Sequence, residues 1–277
     1  MSKTNHTRNP LKMKIKTTTS AVAILAVVLA LSINDASAQI KLNTKGLGAA
    51  QKGLKAATFS DEEAAKLASD AVKWMDANNP VASENDPYTK RLNKIFGKHK
   101  NENGLQLNYK VYKVKDVNAF ACADGSVRVF SSLMDIMSDE ELLGIIGHEI
   151  GHVANKDSRD AVRSAYKREA LMDAASSQSG VVTALTESQL GKFANALLDS
   201  KYNRKQESEA DDFSYEFMKK YKYKVTALAS AFQKFADMES AAGDTRTKTE
   251  KMMSSHPESG ARAAKILKKA KEDGLSK

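Results

Sequence analysis

The sequence predicts an α+β domain, predominantly helical, with a small sheet that includes antiparallel strands. Three observations carry that expectation. In Ser138–Asp157 apolar residues recur at helical spacing, with Leu142, Ile145, Ile146, Ile150 and Val153 on one face. Between Leu105 and Phe130 the period drops to two, as in half-buried strands. Beyond Asp157 the helical period returns and holds almost to the end of the chain.

The first 38 residues are expected to be a signal peptide and no part of the fold. Lys3, Arg8, Lys12, Lys14 and Lys16 form a basic start, Ala21–Ser32 is apolar, and Ala36-Ser37-Ala38 is a small-residue cleavage signal before Gln39. The apolar run is short for a membrane span, which needs about 20 residues. No Cys stands at the cleavage point, so a lipid anchor there has no attachment residue. Export, most simply to a periplasm, is the expected destination. Without the leader the net charge falls from +9 to about +5, a mild excess without aromatic interleaving. A nucleic-acid partner is therefore not expected, while peripheral association with a membrane stays open. Cys122 is the single cysteine; it rules out an internal disulfide and reads as a small core residue.

Residues 39–59, rich in Gly, Ala and Lys, form a loose lead-in, and one domain is expected over 60–277. Ser60-Asp61-Glu62-Glu63 caps a helix that runs to about Asn78, with Ala64, Leu67, Ala71, Trp74 and Met75 inward. After a turn-rich break at Asn79–Pro87, Tyr88–Lys98 forms a short helix. Leu105–Val111, Val117–Ala121 and Val127–Phe130 are the strands, and Ala123-Asp124-Gly125-Ser126 turns between the last two. Ser131–Met137 is a short helix leading into the central one, which Ser138 caps with Glu141 three residues on. Five helices follow: Ser158–Ala175, Gly180–Ser200, Tyr202–Tyr221, Val225–Ser240 and Pro257–Asp273, the last starting at Pro257 or Glu258 and presenting a solvated basic face. Ser240–Ser255 shows no amphipathic period and is expected to be a mobile loop.

The chemistry lies in His148-Glu149-Ile150-Gly151-His152. Four residues apart on a helix, His148 and His152 project from one face and suit a tetrahedral Zn²⁺, with Glu149 in reach of its water. Gly151 leaves room for a neighbouring element. A third ligand is needed. Metzincins would place Gly at 155 and His at 158, but Asn155 and Ser158 stand there. His6 lies in the leader, and His99 ends a helix before a polar turn. A carboxylate from Asn203–Asp211 fits better. Glu207 and Asp211 share a helical face, so one can bind metal while the other orients a ligand histidine; Glu209 points elsewhere.

His-Glu-x-x-His followed by Asn203-Arg204-x-x-Glu207-x-x-Ala210-Asp211 resembles the gluzincin metallopeptidases related to the CAAX prenyl protease and bacterial HtpX, peptidase family M48. Asn118-Ala119-Phe120-Ala121, with Gly125 and Val127-Arg128-Val129, is similar to that family's strand pair before the zinc helix. His256-Pro257 with Arg262 is similar to its late H-P-x-x-x-x-R segment. The resemblance covers about Ser60 to Leu267. It implies a zincin-like fold and one zinc per chain. Without spanning helices, the chain looks closer to the soluble periplasmic members than to the integral-membrane ones, among them the low-osmolarity-induced outer-membrane protease type.

The expected activity is zinc-dependent endopeptidase action on polypeptides, with unfolded or misfolded exported envelope proteins as the substrate class the resemblance implies. His148, His152 and Glu207 hold the metal, Glu149 is the base, and Asp211 supports a ligand. The substrate adds as a strand beside Asn118–Ala121. The alternative is a non-catalytic zinc-containing chaperone or assembly factor, against which the intact Glu149 counts. His256, and with it Arg262, is a candidate for stabilising the oxyanion or for gating the metal; a histidine on a loop that can leave is the better gate.

Overall fold

The computed structural model describes residues 60–172, 185–242 and 250–276. The expected leader and lead-in lie outside them. Helix α1, Asp61–Asn78, starts where Ser60 and Glu63 exchange reciprocal capping hydrogen bonds, and it buries Ala64, Leu67, Ala71 and Met75 together with Ala68 and Val72. Helix α2, Pro87–Phe96, starts at Asp86, whose carboxylate accepts from the Tyr88 N–H, with Pro87 in the first turn.

The stretch expected as one strand over Leu105–Val111 is two. Asn101–Glu102 (β1) and Leu105–Gln106 (β2) form a small hairpin, and Asn108–Tyr112 (β3) starts a separate sheet. The break falls at Leu107, whose N–H turns back to the Lys100 carbonyl at 2.8 Å. Leu107 and Val111 are both buried, so the alternation runs straight through the break and conceals it.

The main sheet has the order β3-β5-β4, with β4 at Ala119–Ala121 and β5 at Ser126–Phe130. β5 is central, parallel to β3 and antiparallel to β4. The turn between β4 and β5 requires Gly125, whose φ is +83° and whose added Cβ would fall 2.0 Å from the Gln106 carbonyl oxygen. The sheet separates two apolar clusters. Val127 and Val129 face one of them, and Phe130 faces the other, which contains residues of α1. Arg128, also buried, gives its Nε and a terminal nitrogen to Asp76 of α1 at 2.8 and 2.9 Å.

The helices that follow are α3 (Ser131–Ile136), α4 (Asp139–Ala154), α5 (Asp157–Met172), α6 (Glu187–Leu198), α7 (Arg204–Lys220), α8 (Thr226–Ala242), α9 (Glu250–Ser255) and α10 (Ser259–Glu272). The expected ends at Ala175 and Gly180 fall outside the described residues. α6 starts later than expected, at Glu187, after Thr186, which caps it and forms a capping box with Gln189. Two expectations near the C-terminus are corrected. Glu250–Ser255, assigned to a mobile loop, is helical, with Met252 buried and its carbonyl accepting the His256 N–H at 2.9 Å; 243–249 lie outside the described residues. The last helix starts at Ser259, because Glu258 has φ +66° and cannot continue a right-handed turn. Among the described residues no helix is long and apolar enough to cross a membrane.

Glycines bring α4 and α7 together. A Cβ on Gly147 would lie 2.9 Å from Ser214 Oγ, and one on Gly151 would lie 2.9 Å from Ala210 Cα. Two helices cross this closely only where side chains are missing, and the contact carries the acidic face of α7 onto the histidines of α4.

Candidate metal centre

His148 and His152 lie one turn apart on α4, and Glu207 sits in the first turn of α7. All three are buried. The two Nε2 atoms are 3.1 Å apart. Glu207 places Oε1 3.4 Å from His152 Nε2 and Oε2 3.6 Å from His148 Nε2. His256, just beyond α9, adds a fourth donor: its Nδ1 is 3.1 Å from His148 Nε2 and 3.0 Å from Glu207 Oε1. Each of the four residues offers one donor atom, and these all lie within 4.8 Å of one another.

The donor chemistry fits a cation. Four ligands at about 2.0–2.1 Å from a tetrahedral ion stand roughly 3.3–3.4 Å apart, close to the separations seen. Two imidazole lone pairs 3.1 Å apart repel unless a positive centre lies between them. Their outer nitrogens are already held. His148 Nδ1 lies 2.9 Å from Asp211 Oδ1, and His152 Nδ1 lies 2.9 Å from Asp157 Oδ2. Each carboxylate takes an Nδ1–H and leaves Nε2 turned inward.

The charges follow from these contacts. Burial first, then the Arg262 charge, pushes the His148 pKa down to about 3, which keeps its ring neutral. Burial opposes a proton on His152, but Asp157 and Glu207 hold its pKa above the ordinary value. Burial likewise opposes ionisation of Glu207, yet His256, His152 and His148 hold its pKa well below the usual range. Glu149 differs: burial pushes its carboxyl up to about 7. Its Oε1 is buried without a hydrogen-bond partner and faces His256 Nε2 at 3.5 Å.

Arg262 binds Asp211 through Nε at 2.9 Å and one terminal nitrogen at 2.5 Å, and its other terminal nitrogen lies 2.6 Å from Glu207 Oε2. Its guanidinium sits 4.1 Å over the Phe232 ring. Glu209 is exposed, away from the centre. His99 is remote from it, buried with Nε2 2.8 Å from the Tyr223 hydroxyl.

The Asn118–Ala121 segment contains β4, an edge strand beside Glu149. Little of that edge is open. The Ala121 carbonyl accepts from the Ser158 hydroxyl at 3.0 Å. The Ala119 N–H donates to Asn118 Oδ1 at 2.9 Å. Phe120 is directed toward the second apolar cluster.

Two neighbours of the centre were not among the residues read from the sequence. Asp157 opens α5, and its other oxygen is held by Gln206 Nε2 at 3.0 Å; an acid in a first helical turn is ordinarily explained by the helix dipole, which masks its part here. Tyr202 stacks on His152, centroids 3.8 Å apart and rings 14° from parallel, and no motif marks it.

Comparison with known proteins agrees with this geometry. The model for Peptidase family M48 matches residues 89–270. The chain is 44% identical over 213 residues to the metalloprotease YcaL of Escherichia coli (strain K12), covering 76% of this chain and 82% of the relative. It is 37% identical over 230 residues to the metalloprotease LoiP of the same organism, covering 83% and 89%. A shorter match, 45% identical over 56 residues, joins it to an HtpX homologue of Streptococcus uberis (strain ATCC BAA-854 / 0140J), covering 18% of this chain and 19% of that protein. A family match over most of the folded region, joined to a donor set built for a cation, leads to one conclusion: the chain belongs to peptidase family M48 and is a metalloprotease.

Proposed function

We propose that the metal is one Zn²⁺, held by His148, His152 and Glu207, and that Glu149 is the base of peptide hydrolysis. One observation carries this reading: three buried donors converge within 3.1–3.6 Å of one another, beside a buried Glu149 oxygen that has no hydrogen-bond partner. Zinc held there would supply Lewis acidity, lowering the pKa of water and polarising the scissile carbonyl. Glu149, with its carboxyl pushed up to about 7, takes the proton of the attacking water and passes it to the departing amine nitrogen. Asp211 and Asp157 keep the two imidazoles in the ligating tautomer. Arg262 positions Asp211 through two hydrogen bonds, and its other terminal nitrogen, 2.6 Å from Glu207 Oε2, has no hydrogen-bond partner and stays a candidate for the oxyanion.

His256 fits the gating role. Its Nδ1 stands among the other three donors, 3.1 Å from His148 Nε2 and 3.0 Å from Glu207 Oε1, where it would compete with a substrate carbonyl for a bound metal. The substrates are extended polypeptides that pair with the Asn118–Ala119 end of the edge strand, where only a rotatable Asn side chain must be displaced. Unfolded exported proteins of the envelope are the class that suits main-chain pairing with little demand on sequence. The basic, apolar and small-residue segments of the leader support a periplasmic location.

The test is Glu149→Gln. It keeps the shape and the ligands, so one zinc per chain should remain while digestion of unfolded casein falls about 10²–10⁴-fold. Wild-type turnover, or loss of the metal, would refute the assignment.

A further inference from the structure

We propose that the shared C-terminal end of α7 and α10 docks on an anionic lipid surface, with headgroup phosphates as its ligands. This does not depend on the peptidase chemistry. The two helix ends meet where Asp273, just past α10, takes Lys219 Nζ at 2.6 Å and the Tyr215 hydroxyl at 3.1 Å. The 97–100 turn joins them through His99 and Tyr223, and Lys98 lies 5.0 Å over the Tyr223 ring.

The surface gathered there is strongly basic. Lys219–Lys224 reads KKYKYK, and Lys98 and Lys100 flank His99. This stretch interleaves lysine and tyrosine, a local pattern that the chain-wide charge conceals. Lys98, Lys100, Lys222 and Lys224 are exposed, and none has a carboxylate within 4.0 Å among the described residues. Glu102 is already taken up by Lys220 Nζ at 2.8 Å and the Tyr221 hydroxyl at 2.7 Å.

Complementing the helix dipoles explains only part of this. Lys219 and Lys220 lie in the last turn of α7 and suit its negative end. Lys98 and Lys100 belong to neither helix, and Lys222 and Lys224 lie past the end. Lys222 has φ +59°, a conformation that glycine adopts more easily. Beside Asp273, Leu275 is one of two large apolar side chains that stand exposed among the described residues. Lysines around an exposed leucine and amphipathic tyrosines match a headgroup layer above acyl chains.

Single-stranded nucleic acid is the weaker match, because it needs free aromatic faces for bases to stack on. Here both tyrosine hydroxyls are engaged, and Lys220 and Lys98 lie over the two rings. Docking would also leave the metal centre clear: Glu207 precedes Lys220 by 13 positions on α7, about 20 Å at helical rise.

The experiment uses the protein purified as its cells produce it, mixed with vesicles of neutral phosphatidylcholine or with about one third phosphatidylglycerol. Selective sedimentation with the anionic vesicles, lost as salt rises to about 0.5 M, is expected. Lys222→Gly, which relaxes the backbone, should weaken that binding about fivefold. Lys98→Glu/Lys222→Glu/Lys224→Glu should weaken it at least a hundredfold while metal content and casein digestion in solution stay unchanged. Equal binding to both vesicle types, wild-type binding by the triple variant, or binding to an oligonucleotide in place of vesicles would overturn the proposal.

Discussion

Adding one methyl group at Gly151 should separate the stability of the fold from the integrity of its metal centre. In Gly151→Ala the new Cβ lies 2.9 Å from Ala210 Cα, 3.0 Å from the Ala210 carbonyl oxygen and 3.1 Å from Phe213 Cβ. Carbon–carbon contacts rest at about 3.5–4.0 Å, so α7 must retreat by roughly 0.6–1 Å. Overpacking of this kind costs about 1–3 kcal/mol, and the better helix propensity of Ala returns about 1 kcal/mol. The net loss is roughly 0–2 kcal/mol, a fall in Tm of at most about 8 °C for a domain of this size. Ligand distances, in contrast, tolerate only about 0.2 Å, and both Glu207 and Asp211 ride on α7. Metal affinity should therefore fall about 10–100-fold or more, the scale of a lost supporting contact. Competition with a chelator reads the affinity, and calorimetry reads Tm. Gly260→Ala is the control, since its Cβ meets only Ala236 Cβ at an ordinary 3.6 Å. A Gly151→Ala protein with wild-type affinity would show that close approach of α7 does not set the ligand positions.

Asp157→Ala should weaken the metal about 10–100-fold by freeing the His152 ring; chelator competition checks it, and unchanged affinity would leave Asp157 as a plain helix-start acid. His256→Ala should raise basal proteolysis of casein, whereas a lower rate at full metal content would make His256 an aid to turnover. Asp76→Ala should destabilise the fold by about 3–5 kcal/mol, because Arg128 stays buried without its partner. Denaturant titration reads this, and a change below about 1 kcal/mol would refute it, since that is the scale of a surface pair. The same carboxylate predicts an acid dependence. Burial alone would raise its pKa, but Arg128, Lys110 and Tyr112 hold it at about 2, against an ordinary 3.8. Its stabilisation is therefore present above about pH 4 and fades as pH falls toward about 2. Wild type should lose stability across that window, and Asp76→Ala should show a flatter profile.

The sequence was most readable where one local rule acted alone. Ser60 with Glu63 and Ser138 with Glu141 both form the capping boxes their spacing implies. Glu207 and Asp211 turn inward while Glu209 stays exposed, as a single helical period requires. Reading failed where tertiary contacts overrode local pattern. The alternation from Leu105 to Val111 survives a strand break because Leu107 and Val111 stay buried on either side of it. Glu250–Ser255 is too short to show a period, and its helix rests on the burial of Met252. Asp157 reaches His152 only because Lys156 adopts φ +69° and reverses the chain between α4 and α5. Nothing in the identity of a lysine announces a left-handed turn.

The placement of Arg262 connects the fold to the chemistry. It lies in the first turn of α10, buried at the positive end of that helix, where the dipole disfavours a cation. Burial opposes its charge as well, yet Asp211, Glu207 and Glu149 hold its pKa above the ordinary value. A charge so unfavourably sited is tolerable only because those carboxylates surround it. They in turn would repel one another without it: Glu207 and Asp211 are one helical turn apart on α7, both deeply buried. The guanidinium thus fixes the separation of Glu207 from the carboxylate that lies against His148 Nδ1. It does so from α10, and the candidate donors it serves come from α4 and α7. Three helices therefore meet at the centre, and each holds one part of it: the histidines on α4, the carboxylates on α7 and the balancing cation on α10.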